Sequence, residues 1–563
     1  MGTPRVAGIE TEYGILIRGA AEVDPFSASD LLLEQFARSD ETVEPLGMRV
    51  GSPDLDGYML ANGARLYIDH AHPEYSTPET ATPRDAVAAD KAGEVLLERC
   101  QCRANASGAL PSGQELVLYK NNSDGKGQSY GCHENYLVAP DTFEELVACR
   151  SQRVLGGWVP FLVTRGLLCG AGKMGAENGR DCGGFQLTQR ADFMEELVGL
   201  QTTYRRPLVN TRDEPHADRL RFRRLHVILG DANMAEFSTY LKIGTTTILL
   251  MMLEDDAIPT DMMLQDPIEA ISTVSHDLSF SEELPLADGR AMTALAMQEQ
   301  FHAAAHEYLA EHGGTDELHG VVVCWGDTCA KLASDWRALR SRLDWAIKRH
   351  LLEKYLSAQG CDWETVRSWE PVIQMTLDQA PSGDGGATCH PPILLRQTRP
   401  EDARLLDRHM LDRDLEWDNY WAQRDIYFTL RRLDLQYHDL RRGPTLENGG
   451  LYNLLQASGA VERVVSDDEI ALFVDSPPHD TRAHVRGMCV SQHSRDIAHV
   501  DWAEVVFTGT GPNPTWQLDL DDPAANHIDP AADLTFAPPD VFALLEGSRE
   551  HPGMPARRNG GDS

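Results

Sequence analysis

The sequence is short of positive charge and of long hydrophobic runs. Its 563 residues include 51 Lys and Arg against 87 Asp and Glu, which gives a net charge of −36. Because nucleic-acid phosphates repel such a chain, non-specific nucleic-acid binding is not expected. The longest apolar run, at 248–253 (Ile-Leu-Leu-Met-Met-Leu), is far below the ~20 residues that a bilayer span needs, so no membrane role is expected.

Paired cysteines and a leader segment are also missing. The 11 cysteines are scattered and include no Cys-x-x-Cys pair, which predicts reduced thiols and a cytoplasmic protein. The first residues run directly into a strand-like segment, so we expect no signal peptide. Familiar catalytic signatures are absent as well: the Gly-Ala-Gly-Lys at 170–173 lacks the spacing of a phosphate-binding loop, and there is no Gly-x-Ser-x-Gly elbow.

What is present is an alternation of strand-like and helix-like segments. Strand patterns at 5–17, 64–69, 115–120 and 221–229 are interleaved with helical patterns at 27–38, 84–100 and 234–254, which predicts an α/β or α+β enzyme domain. The segment 40–58 is polar and contains Gly and Pro, and we expect a loop near the mouth of the site.

Five ranges define the predicted domain organisation. We expect a catalytic domain over 1–457, with a probable insertion at 355–430 that contains a Gly- and Pro-rich linker at 380–392. A small C-terminal domain is expected over 458–546. The polar tail at 547–563 is expected to be disordered.

The first candidate site lies on the first strand, in Glu10-Thr11-Glu12. Alternate side chains of a strand share a face, so Glu10 and Glu12 point the same way about 7 Å apart. Two carboxylates on one face favour a cation beside them, although a solvated strand face would show the same pattern.

The second candidate site is the strand at 65–69, Arg-Leu-Tyr-Ile-Asp. Period-2 alternation predicts Arg65, Tyr67 and Asp69 on one face, with Glu74 following where the strand ends. The planar guanidinium of Arg65 suits a phosphate, and Asp69 could act as a base or nucleophile. The alternative is a structural ion pair between Arg65 and Asp69.

Three more charged segments could bind a ligand or could simply form internal ion pairs: 132–135 (Cys-His-Glu-Asn), 211–218 and 223–226 (Arg-Arg-Leu-His). His133 is as typical of a buried structural histidine as of a ligand. From the residues alone, we infer a site on a sheet that is rich in carboxylates, contains arginine, and is suited to Mg²⁺ and a phosphorylated ligand.

Several ordered motifs resemble those of the depupylase and Pup ligase family, whose members remove or attach the prokaryotic ubiquitin-like protein Pup. They are Gly-Ile-Glu-Thr-Glu-Tyr-Gly at 8–14, Asn-Gly-Ala-Arg-Leu-Tyr-Ile-Asp at 62–69, His-Pro-Glu-Tyr at 72–75, Leu-Tyr-Lys-Asn-Asn at 118–122, Ser-Tyr-Gly-Cys-His-Glu-Asn-Tyr at 129–136, the segments 210–218 and 223–233, Asp-Leu-Gln-Tyr-His-Asp at 434–439, and Pro-Pro-His-Asp-Thr-Arg-Ala at 477–483. The resemblance covers most of the chain except about 355–430 and the tail.

The resemblance implies an α+β fold with a large glutamine-synthetase-like domain, in which helices pack a concave antiparallel sheet that holds ATP and Mg²⁺, and a small C-terminal domain. Pup and pupylated proteins are the implied partners. The residue roles that it implies are metal ligation by Glu10, Tyr67 and Glu74, with Glu12 a weaker candidate, ATP contacts by Arg65, Thr77 and Trp502, and catalysis by Asp69.

Within the family, the resemblance favours the depupylase branch. That branch spaces its catalytic Asp five residues before the Glu of His-Pro-Glu, as from Asp69 to Glu74, whereas the ligase branch has one residue more. The short connection between the first strands, Cys132 and the segment 346–349 resemble the ligase more closely. Three functions stay open: an ATP-dependent depupylase and Pup deamidase, a Pup–protein ligase, and a non-catalytic Pup-binding factor.

Overall fold

The computed structural model describes residues 3–20, 24–37, 47–52, 55–180, 184–378, 417–508 and 515–527. The predicted linker at 380–392 and the predicted tail at 547–563 lie outside these residues. The predicted insertion at 355–430 is described only at its two ends. Both ends are helical there, and the two helices pack against each other.

The strands of the described chain form one large sheet and several small ones. In chain order they are β1 Ala7–Glu12, β2 Gly14–Arg18, β3 Gly47–Ser52, β4 Leu55–Leu60, β5 Arg65–Asp69, β6 His72–Ser76, β7 Glu115–Tyr119, β8 Cys132–Val138, β9 Lys173–Met174, β10 Phe185–Gln186, β11 Met194–Gly199, β12 Arg206–Asn210, β13 Arg223–Val227, β14 Glu283–Pro285, β15 Ala291–Thr293, β16 Ile497–Val500, β17 Glu504–Thr508 and β18 Thr515–Asp519. The large sheet has the order β11-β12-β13-β8-β1-β6-β5-β4-β3. Its pairs are antiparallel except β11 with β12, which is parallel.

Helices occupy much of the remaining described chain. They are α1 Pro25–Ala37, α2 Pro83–Ala106, α3 Pro140–Ala148, α4 Val159–Thr164, α5 Gly166–Cys169, α6 Glu236–Glu254, α7 Pro267–His276, α8 Ala294–His312, α9 Asp316–Ser334, α10 Asp344–Ala358, α11 Trp363–Asp378, α12 Trp417–Tyr437, α13 Leu451–Ala457, α14 Asp467–Asp475 and α15 Arg482–His493. The expected α+β class is therefore confirmed.

The two faces of the large sheet differ in chemistry. On β1, Ile9 and Thr11 are buried toward the helical side, where α2 packs and is itself packed by α6. Helix α2 begins sharply because the Thr82 side chain accepts a hydrogen bond from the Asp85 amide and proline occupies the first turn. The opposite side, here called the polar face, carries Glu10 and Glu12, as strand alternation predicts.

A tight hairpin joins β5 to β6. Asp69 pairs with His72, so the connection has only two residues. His70 and Ala71 have φ values of 46° and 71°, and two positive φ values are the signature of a type I′ turn. The Ser29 hydroxyl donates to the Ala71 carbonyl at 2.8 Å and ties α1 to this turn. Asp69 is thereby fixed at the very end of β5.

The expectation of a loop over 40–58 is wrong for the part that is described. Residues 47–52 form β3 and residues 55–60 form β4, paired from Gly47 with Leu60 to Ser52 with Leu55. The Gly and acidic residues of this segment are typical of a loop, but pairing with neighbouring strands stabilises the extended conformation. The buried side chains of Met59 and Leu60 anchor β4. This region is an edge of the large sheet rather than a lip.

A second, smaller core lies in the C-terminal region. Helix α15 packs on the three-stranded sheet β16-β17-β18, and its buried side chains contact Met59 of the large sheet. This matches the expected small C-terminal domain. Ile470 and Phe473 of α14 belong to the larger core, and the division at residue 458 stays a prediction. In the part of the chain that is described, no helix is both long and apolar enough to cross a bilayer.

Candidate active site

Three carboxylates converge on the polar face where β1, β5 and β6 adjoin. Oxygens of Glu12, Asp69 and Glu74 all lie within 4.8 Å of one another. The strand register explains this, since Glu74 pairs with Glu12 on one side and with Tyr67 on the other. The Tyr67 hydroxyl donates a short hydrogen bond to the Glu74 carboxylate.

The electrostatics of this cluster are unfavourable in the absence of a cation. Burial, and then the charges of Glu10, Glu12 and Asp69, raise the pKa of Glu74 well above its ordinary value. Burial and the Glu74 charge likewise raise the pKa of Tyr67. Among the described residues, no Lys or Arg nitrogen lies within 4.0 Å of the Glu12 or Glu74 carboxylate. Clustered carboxylate oxygens that no Lys or Arg nitrogen contacts fit a hard divalent cation.

Glu10 occupies a second, better compensated cluster. Its carboxylate accepts from the Asn135 amide at 2.9 Å and from Arg224 at 3.2 Å. His133 Nδ1 and His226 Nε2 approach it at 3.5 and 3.8 Å. Burial opposes ionisation of Glu10, but His226, His133 and Arg224 outweigh it and hold its pKa far below the ordinary value.

Glu10, His133 and His226 also form a possible ligand set, since their ligand atoms lie within 4.8 Å of one another. The sequence interpretation left His133 open between a structural residue and a ligand, and this geometry favours a place in the site. Glu10 is separated from the Glu12 cluster by its partners but still acts on it, because its charge contributes to the raised pKa of Glu74.

Arg65, Tyr67 and Asp69 share the polar face as the alternation of β5 predicts. The Arg65 guanidinium lies 4.7 Å from the centre of the Tyr67 ring, and its Nε is buried without a hydrogen-bond partner. Asp69 pairs instead with His70 Nδ1 at 2.6 Å. The alternative of a structural Arg65–Asp69 ion pair is therefore wrong for the described structure, and the Arg65 Nε still has donor capacity for a ligand.

Thr77 and Trp502 line one cleft of about 590 Å³ next to this site. Glu10 also lines this cleft, whereas Glu12, Asp69 and Glu74 are not among its lining residues. The Thr77 hydroxyl accepts a hydrogen bond from the Ile9 amide at 3.0 Å. Residues that are 425 positions apart in the chain thus share the wall of one cleft.

Arg190 is a nearby residue that sequence reasoning missed. It is almost fully buried, and its Nη1 donates to the Tyr130 carbonyl at 2.6 Å while its Nε lacks a partner. Burial lowers the pKa of Arg190 to about 10, and the charge of Glu12 acts in the opposite direction. No periodic pattern surrounds this arginine, so only the folded chain reveals that it lies near Glu12.

The comparison with sequence families gives a match over most of the chain. The model of the Pup-ligase protein family matches residues 5–374 and 402–506. A depupylase of Acidothermus cellulolyticus is 35% identical, over 97% of this chain and all of that protein. A Pup deamidase/depupylase of Mycolicibacterium smegmatis and a Pup–protein ligase of Actinosynnema mirum are each 35% identical over 89% of this chain, covering 91% and 93% of their own lengths.

The folds of solved structures agree with this family match. The Pup ligase PafA in complex with Pup superposes with a TM-score of 0.70 at 28% identity, covering 98% of this chain and 92% of that one. PafA in complex with ADP gives a TM-score of 0.64 at 29% identity, covering 88% and 90%. The expected glutamine-synthetase-like fold is thereby confirmed, and this chain belongs to the Pup-ligase family of Pup-modifying enzymes.

Proposed function

We propose that this protein is an ATP- and Mg²⁺-dependent depupylase and Pup deamidase. The observation that carries the proposal is the two-residue hairpin at His70–Ala71, which sets the five-residue spacing from Asp69 to Glu74. That spacing resembles the depupylase branch of the family. Its partners are Pup and pupylated proteins, and we expect it in the cytoplasm.

The residues of the site fit the two cofactors. Glu12 and Glu74, whose carboxylates contact no Lys or Arg nitrogen, would hold Mg²⁺ together with Tyr67 and Glu10 beside them. The cleft lined by Thr77 and Trp502 would hold ATP. Arg65, which pairs in the sheet with the cleft residue Ser76 and has an Nε without a partner, is the proposed phosphate contact. When bound, Mg²⁺ and ATP supply positive charge and an ordered set of phosphate oxygens next to the reacting amide.

Asp69 is the proposed catalytic group. Its carboxylate either attacks the carbonyl carbon of the glutamine side-chain amide or isopeptide, or takes a proton from the water that does so. In both routes the carbon–nitrogen bond breaks and the leaving ammonia or lysine amine takes its proton from water. In the first route the anhydride formed with Asp69 is then hydrolysed by water, which restores the Asp69 carboxylate. His70, 2.6 Å from Asp69, holds the carboxylate in one orientation.

One of the comparisons supports this branch. The Acidothermus depupylase aligns over its full length and 97% of this chain, whereas the Actinosynnema ligase aligns over 89%. The identity is 35% in both cases. A ligase is the second candidate, because the solved structures that superpose well are those of a Pup ligase, one of them with ADP.

The direct test incubates the purified protein with ATP, Mg²⁺ and either a Pup–lysine conjugate or Pup that ends in glutamate plus a lysine acceptor. We expect cleavage of the conjugate and no net formation of the isopeptide. Formation of the conjugate from the separate parts would replace the depupylase with the ligase. No reaction in either direction, with tight binding to Pup, would favour a non-catalytic Pup-binding factor.

A further inference from the structure

Glu79 is a partly buried carboxylate in the wall of the cleft, two residues beyond Thr77. Its side chain is 13% exposed and pairs with two arginines at the start of α15. Oε1 accepts from Arg482 Nε at 2.7 Å and from Arg486 Nη1 at 3.2 Å, and Oε2 accepts from Arg486 Nη2. One carboxylate of the large sheet region therefore holds two cations of the C-terminal region.

The two arginines in turn reach the other walls of the cleft. The Arg486 guanidinium lies 4.7 Å from the centre of the Trp502 ring, and Nη1 donates to the Trp502 carbonyl at 3.1 Å. Arg482 donates to the carbonyl of His216, which lines the same cleft, and to the Leu520 carbonyl at 2.8 Å. Trp502 and His216 are thus both connected to Glu79 through one intervening side chain.

Charge compensation explains why Glu79 is needed. Arg482 is nearly and Arg486 fully buried, and two buried guanidinium groups side by side repel unless an anion lies between them. Burial alone raises the pKa of Glu79, but Arg486 and Arg482 outweigh it and lower the pKa to about 2. Glu79 is therefore ionised at neutral pH and holds both arginines in place.

We infer that Glu79 is a positioning residue of the nucleotide cleft, which fixes Trp502 against the bound nucleotide through Arg486 and sets the loop of His216 through Arg482. The inference rests on the proposed function, because it takes the cleft of Thr77 and Trp502 as the ATP site. Glu79 would thereby join the proposed site residues although it contacts neither the carboxylate cluster nor Asp69. A purely structural ion pair is the competing interpretation, and it predicts lost stability without a selective change in nucleotide affinity.

The test is Glu79→Gln, which keeps the size of the side chain and removes its charge. We expect the dissociation constant for MgATP, measured by titration calorimetry on the full chain, to rise about 10-fold, as is typical of coupling between linked groups. Turnover at saturating ATP should stay close to the wild-type value, because the carboxylates of the polar face are untouched. Glu79→Asp, which keeps the charge, should recover part of the affinity.

Glu236→Gln is the matched control. Glu236 is fully buried and pairs with Arg463, so this variant also loses a buried ion pair, but neither residue lines the cleft. Glu236→Gln should lower the melting temperature and leave MgATP affinity unchanged. If Glu79→Gln does not fold, Arg486→Lys keeps the charge, loses the planar fork of the guanidinium, and should weaken MgATP binding in the same way.

Equal MgATP affinity for Glu79→Gln and wild type, or equal losses in Glu79→Gln and Glu236→Gln, would overturn the inference and leave the proposed function standing. If both Glu79→Gln and Glu236→Gln fail to fold, unchanged affinity in Arg486→Lys has the same meaning. A wild-type protein that binds no MgATP would overturn the ATP site itself, and the role of Glu79 with it.

Discussion

At the scale of single residues, Asp69 differs from the other carboxylates of the polar face. Glu10 is held by Asn135 and Arg224, Glu74 is held by Tyr67, and Glu12 is buried. The Asp69 side chain is instead 32% exposed, and its one hydrogen-bond partner in the described structure is the exposed His70. A carboxylate at the end of a strand with a free oxygen is accessible to a substrate. This supports its proposed role as the reacting group.

Asp69→Asn should therefore abolish turnover while the protein still folds and binds nucleotide. Loss of an essential acid, base or nucleophile commonly costs at least ~10²-fold in rate. Deamidation of Pup measured by ammonia release, with calorimetric MgATP binding in parallel, checks this. Asp30→Asn, an exposed carboxylate on α1, is the control and should react normally. Near-normal turnover in Asp69→Asn would remove Asp69 from the mechanism.

Glu74→Gln tests the proposed metal ligands. Because Glu12, Asp69 and Glu74 repel one another, removal of one charge should reduce the repulsion among the carboxylates in the cation-free protein. It should also weaken cation binding. We expect the MgATP affinity to fall by about 10-fold or more, the effect typical of a lost interaction at a metal site. Nucleotide affinity in EDTA should change little. Equal losses with and without Mg²⁺, in the same calorimetric titration, would contradict a metal role for Glu74.

At the scale of elements, the hairpin between β5 and β6 decides where Asp69 lies. The type I′ form of a two-residue connection needs a positive φ at both residues, and neither His70 nor Ala71 is a glycine. Such a backbone costs of order 1 kcal/mol per residue, so packing must hold it in place, here through the bond from Ser29. The strained turn is part of what positions the catalytic group.

One glycine inserted between His70 and Ala71 should leave the sheet intact and displace Asp69 from Glu12 and Glu74. A displacement of about 1 Å in a reacting group can cost ~10²-fold in rate. We expect isopeptide cleavage to fall by that order while MgATP binding persists, since Thr77 and Trp502 are not moved. A second variant with the glycine inserted after Gly108, an exposed turn beyond α2, controls for the insertion itself. If cleavage survives the hairpin insertion, the Asp69-to-Glu74 spacing does not determine the chemistry.

At the scale of the whole molecule, sequence reasoning succeeded where the information is local. The alternation of β5 placed Arg65, Tyr67 and Asp69 on one face because side-chain direction in a strand has period 2. It could not predict that Glu10 meets His133 and His226, since those contacts depend on which strands pair across more than a hundred residues.

The edge hairpin of β3 and β4 and the role of Glu79 were missed for the same physical reason. Residues 40–58 have the composition of a loop, and it is the strand pairing of 47–52 with 55–60, not composition, that makes this region a sheet edge. Glu79 and Arg486 are 407 positions apart and carry no motif of their own. Their ion pair exists only because α15 packs beside the turn at Gly63.

The measurement that tests the central claim most directly counts ADP against product for one preparation of the protein. Pup that ends in glutamine, and in a parallel sample Pup that ends in glutamate with a lysine acceptor, is incubated with Mg²⁺ and ATP, and ammonia, isopeptide bonds and ADP are quantified. The depupylase account predicts many amide bonds hydrolysed with far less than one ADP per bond, because ATP and Mg²⁺ organise the site without being consumed. One ADP released for each isopeptide bond formed between Pup and lysine would contradict the account and establish the ligase in its place.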